Sequence, residues 1–124
     1  MKPDGFDERE DITDASQQRV GQMLQFYTGQ QSYLLVELAR SDQHLTAQET
    51  IHGSLKKQKA ILLDSGQTKY RLDAALAQDV QLQKTYAKFL EAKAYRDMLQ
   101  AIVKGIELKR DLCSREITRR ASEK

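Results

Sequence analysis

Tryptophan is absent, proline and cysteine occur once each, and five tyrosines and three phenylalanines are the whole aromatic content of this 124-residue chain. Each shortage excludes something. Pro3 is the single proline, so nothing beyond the first residues forces a break in a helix. A lone Cys113 cannot close an internal disulfide, and the opening Met-Lys-Pro-Asp-Gly-Phe-Asp-Glu lacks the apolar core of a secretory signal, so a reducing, cytoplasmic setting is expected. Charge interrupts every apolar run well short of the ~20 residues that span a bilayer, and no membrane association is expected. With Ala, Leu, Gln, Glu, Lys and Arg abundant and 31% of residues charged, the composition suits extended helices and excludes a sheet.

What is present is helical periodicity. Residues 1–14 hold six acidic side chains (Asp4, Asp7, Glu8, Glu10, Asp11, Asp14) against Lys2 and Arg9, with little to bury, and are read as a flexible acidic tail. The remainder, 15–124, is read as one helical domain. From about Ala15, Val20, Leu24, Tyr27, Leu34, Leu38, Leu45, Leu55 and Leu62 fall on a 4,3 heptad count with polar residues at some seam positions, predicting a helix over about 15–63. Gly21, Gly29 and Gly53 lie inside it and leave its continuity open at Gly29 and Gly53. Asp64-Ser65-Gly66-Gln67-Thr68 reads as the hairpin tip: Gly66 suits a left-handed helix end, and Ser65 or Thr68 can cap the next helix. The second helix is predicted over about 69–120, its stripe formed by Leu72, Leu76, Leu82, Tyr86 and Leu90, then Leu99, Ile102, Ile106, Cys113 and Ile117. The expected fold is all-α, a long helical hairpin with coiled-coil-like packing. Charge near Lys109 and Arg110 weakens the far seam, and Leu99, Ile102, Ile106, Cys113 and Ile117 are the expected oligomerisation surface.

Charge is unevenly spread. Residues 81–124 hold eleven basic and six acidic side chains, in contrast with the acidic start. One reading is a solvated helix face held by ion pairs three or four residues apart. Lys93 with Asp97, Lys104 and Arg110 with Glu107, Arg115 with Asp111, and Arg119 and Arg120 with Glu116 fit it, and arginines also suit a helix C-terminus. Lys56, Lys57, Lys59, Arg71 and Lys84 do not, for none has a carboxylate at three or four residues on either side. Crowded unpaired lysines repel one another, and a polyanion relieves the repulsion by supplying phosphates. Lys69 and Arg71 flank Tyr70, a ring placed to stack on a base or, alternatively, to staple the second helix against Leu62 or Leu63.

Catalytic signatures are missing. His44 and His52 stand eight residues apart and find no completing ligand in the sequence, Cys113 lies on the apolar stripe, and no glycine-rich phosphate loop follows a strand. A non-enzymatic protein without metal or cofactor is expected.

The stretches SLKKQKAILLDSG (54–66), KYRLDAALAQDVQLQK (69–84) and YRDMLQAIVKGIELKRDLCSREITRR (95–120), a basic helix before a serine-glycine turn and a long helix after it, resemble the UvsY-type recombination mediators of tailed phages. The resemblance covers about half the chain. It implies a helical protein that assembles through its C-terminal portion into a ring-like homo-oligomer, binds single-stranded DNA and helps a RecA-like recombinase displace single-strand-binding protein. The family's DNA-contacting stretch precedes the turn, where this chain has Lys56, Lys57 and Lys59; the acidic tail is a departure.

The leading expectation is therefore a sequence-tolerant single-stranded DNA binder acting as a recombination mediator, with Lys56, Lys57, Lys59, Lys69, Arg71 and Lys84 on phosphates and Tyr70 on a base. The alternative is a helical scaffold or assembly protein of a phage particle or complex, in which the apolar stripe binds partner helices and the charges only solubilise. The acidic tail is read as keeping the oligomer soluble, with competition against DNA as the other possibility.

Overall fold

The computed structural model describes residues 12–13, 15–63, 66 and 68–123. Among them it is all-α: α1 (Gln17–Leu63), α2 (Lys69–Ala77) and α3 (Val80–Ser122), with α1 packed against α3 as a helical hairpin. The acidic segment, apart from residues 12 and 13, lies outside the described residues, as does most of the turn 64–68.

Side-chain caps fix the boundaries. Ser16 precedes α1, its Oγ accepting the Arg19 N–H at 3.1 Å and its carbonyl the Val20 N–H at 2.9 Å. α1 runs unbroken through Gly29 and Gly53. Beyond it Gly66 is left-handed, φ 82°, where a Cβ would be strained. Thr68 is extended and its Oγ1 accepts the Arg71 N–H at 3.3 Å, which starts α2.

The single helix expected over 69–120 is two. Asp79 accepts the Leu82 N–H at 3.0 Å through Oδ1 and the Gln83 N–H at 3.0 Å through its carbonyl, so it caps a new helix instead of continuing the old one. The orphaned end of α2 is satisfied from both sides: the Gln78 N–H turns back to Ala75 and Leu76, and the Gln83 amide donates to the Ala77 carbonyl at 3.0 Å.

Within the helical region read as one domain over 15–124, the chain divides into two compact units. The first comprises Met1–Glu37 with Gln100–Lys124 and the second Leu38–Leu99. In the first, Val20, Met23, Tyr27 and Cys113 are buried together, with Ile12, Ala15, Leu24, Phe26, Ile106 and Ile117 packed around them. Lys109 sits 5.8 Å from the centre of the Tyr27 ring, which explains how a cation is tolerated at that seam. Gln31 donates to Glu107 at 3.2 Å. Arg120 fastens the residues ahead of α1, donating to the carbonyls of Ile12 (3.2 Å), Thr13 (3.3 Å) and Ala15 (2.6 Å) and, through Nε, to Glu116 at 2.8 Å. Buried Glu116 also takes Arg119 Nε at 2.9 Å, and these hydrogen bonds, Arg119's foremost, hold its carboxyl at about 2. Burial pushes the Cys113 thiol up.

In the second unit Leu45, Leu76, Leu82, Ala92 and Leu99 form the buried face. Arg96 joins Asp97 at 2.9 Å and Asp42 at 3.4 Å, so Asp97 serves Arg96 and not the expected Lys93; likewise Arg110, not Arg115, meets Asp111, at 3.6 Å.

The residues expected at the oligomer surface differ in their burial. Leu99 and Cys113 are buried inside their own units, and Ile106 and Ile117 pack on the first unit's core; of the five residues only Ile102 is exposed. Tyr86, Leu90 and Leu62, expected on the seam, are exposed too. Cap and break explain α3: from Leu82 its inward positions run 82, 85, 89, 92, 96, 99, 103, 106, 110, 113, 117 and 120, alternating threes and fours in a register set by Asp79.

Candidate nucleic-acid interface

All the candidate DNA-contacting residues fall in the second unit, around the end of α1, the start of α2 and the start of α3. α1 contributes Lys56, Lys57 and Lys59 within its last two turns. Thr68 sets the first turn of α2 and with it Lys69, Tyr70 and Arg71. Both cations there stand at the positive end of a helix dipole, where acidic residues are favoured and none is present. Such placement is costly within the chain and is relieved by an anion.

The three lysines of α1 separate into different roles. Lys59 reaches Asp79 Oδ2 at 3.0 Å, both side chains about three-quarters buried, and so ties α1 to the cap of α3. The Asp79 carboxyl lies below its ordinary range, first because the Leu82 N–H donates to it and then because Lys59 does. The expectation that Lys59 is unpaired is therefore corrected: its partner lies twenty residues away in sequence, outside the helical three- and four-residue neighbours. By contrast Lys56, Lys57, Lys69, Arg71 and Lys84 are all exposed and, among the described residues, close no ion pair.

Tyr70 is 84% exposed and Leu62 81%, so the ring does not staple α2 against Leu62. Ile61 is also open, which leaves an exposed aromatic and two exposed aliphatic side chains among cations. The combination offers a π-face and apolar contact to a base and ammonium and guanidinium groups to phosphates.

Lys56 shares a cleft of about 390 Å³ with His52, Asp73, Leu76, Leu82 and Tyr86. His52 Nδ1 lies 2.7 Å from Thr85 Oγ1, its ring 5.4 Å from Tyr86. This histidine, absent from the sequence-level site, is a half-buried seam residue, and His44 is exposed. Lys84 stands on α3 between the cleft-lining Leu82 and Tyr86 but does not itself line the cleft. No group of three or more His, Cys, Asp or Glu among the described residues could hold a metal ion, and no described helix is long and apolar enough to cross a membrane.

No protein-family model, curated protein or solved structure matches this chain.

Proposed function

We propose that the protein is a non-enzymatic, cytoplasmic binder of single-stranded DNA that acts as a recombination mediator, helping a RecA-like recombinase onto strands covered by single-strand-binding protein, and that it works as a homo-oligomer. The observation that carries the DNA-binding reading is that Lys56, Lys57, Lys69 and Arg71 are exposed without ion-pair partners among the described residues, in the same unit as the open ring of Tyr70, which stands at the start of a helix with no acidic residue in its first turn. Lys84 adds a fifth cation from α3, and Lys59 holds the platform together. Nothing here is shaped to read base edges, so recognition is by charge and stacking. The mediator role rests on the resemblance of residues 54–66, 69–84 and 95–120 to the UvsY-type family.

Tyr70→Ala tests the stacking half: single-strand affinity should fall about 5- to 150-fold, the value of one stacked base, with the salt dependence unchanged. The mediator half is tested by recombinase filament assembly on a strand precoated with single-strand-binding protein, which the protein should accelerate and a Lys57→Gln/Arg71→Gln variant should not. A scaffold role is the second reading, favoured by exposed apolar side chains on α3 such as Leu108 and Leu112, which a partner helix could cover.

A further inference from the structure

The second half of α3 carries a second apolar stripe, opposite the one that packs on α1. Ala101, Gly105, Leu108 and Leu112 follow one another at four, three and four residues, all exposed, Leu108 at 65% and Leu112 at 52%. They belong to the first unit, whereas the candidate DNA-binding residues belong to the second. The 4,3,4 spacing is that of a coiled-coil seam. Gly105 sits mid-helix although a Cβ built there meets nothing within 4 Å, so the chain's own packing gives no reason for a glycine.

We infer that this stripe pairs with the same stripe of a second copy, antiparallel and two-fold, about an axis passing between Ile106 and Glu107. In that register Gly105 lies opposite the partner's Leu108 and Ala101 opposite the partner's Leu112, each twice by symmetry, so every layer joins one small and one large residue. Lys104 and Asp111 flank the stripe, both exposed at the side chain, and Lys104 falls opposite the partner's Asp111 on both sides of the axis.

Other registers lose both features. One heptad away, antiparallel, Lys104 meets its own copy and Gly105 faces Ala101. A parallel in-register pair sets Gly105 on Gly105 and Leu108 on Leu108, alternating gaps with crowding, and brings Lys104 beside Lys109 and Asp111 beside Glu116. Charge and size therefore select the antiparallel copy over a parallel one. A two-fold contact is isologous and closes at two copies, unlike the heterologous contacts of the ring that the family resemblance implies. Twelve residues of helix make a small interface, so the dissociation constant should lie at roughly 10–100 µM.

The test is sedimentation equilibrium of the full chain from ~5 µM to ~1 mM, with a charge exchange. Lys104→Asp alone and Asp111→Lys alone each turn two attractions into two repulsions and should weaken dimerisation about tenfold. An equimolar mixture of the two variants should restore it, because each then meets its opposite, and so should the double exchange in one chain. Gly105→Leu should abolish the dimer while the circular dichroism and dilute-solution melting of the monomer stay unchanged or improve. A chain that stays monomeric at ~1 mM overturns the inference, as does a dimer indifferent to the single reversals or not rescued by mixing them.

Discussion

Glutamine substitutions at Lys57 and Lys59, made separately, should give different results although the two lysines are two residues apart on one helix. Lys57 is exposed and closes no ion pair among the described residues; Lys59 is spent on Asp79 at 3.0 Å. If Lys56, Lys57, Lys69, Arg71 and Lys84 each neutralise one phosphate of a single strand, the log–log salt slope is about −3.5 per protomer, and affinity falls ~130-fold between 50 and 200 mM salt. Lys57→Gln removes one of the five, so the slope becomes about −2.8 and the fall ~50-fold. Lys59→Gln should leave the slope at its parental value and instead lower the thermal midpoint by roughly 1–4 °C through the lost ion pair. Anisotropy of a labelled oligonucleotide at five salt concentrations, with melting followed by circular dichroism, reads both effects. Equal slope changes in the two variants, or no change at Lys57, would refute the division of labour.

Two further outcomes follow from the packing. Ser41 is buried on α1 with no hydrogen-bond partner for its hydroxyl, so Ser41→Ala should stabilise the protein by about 1 kcal/mol in urea titration, through a better helix former and the loss of an unsatisfied group. Glu116 has its carboxyl depressed from 4.5 to about 2, so its contribution to stability is complete above pH 4.5 and is lost as pH falls toward 2; melting across that window should steepen with acid in the parent and flatten in Glu116→Gln.

The all-α hairpin was legible because α1 obeys its heptad closely: Val20, Tyr27 and Leu45 are buried where the 4,3 count places them. The same count passes through position 59, between Leu55 and Leu62, so a seam role for Lys59 was also readable, but only by letting periodicity outrank charge. α3 was misread for the opposite reason. Its inward register uses Thr85, Ala92, Arg96 and Val103, weak or polar signals, whereas Tyr86, Leu90 and Ile102 are louder and face outward. The Asp79 cap that sets this register follows Ala77-Gln78 with no glycine or proline to mark a break. Arg120's grip on the carbonyls of residues 12, 13 and 15 joins positions more than a hundred residues apart, and no local pattern announces it. In the candidate site, the exposure of Tyr70 and Leu62 removes the staple between them, an alternative that spacing alone left open.

Whether the exposed cations and Tyr70 of the second unit hold a single strand is read most directly from the binding of a labelled oligonucleotide, single-stranded and then duplex, at two salt concentrations. Binding should favour the single strand and weaken steeply with salt, with a log–log slope of about −3.5. No binding at low salt, or binding insensitive to salt, would contradict the DNA-binding reading.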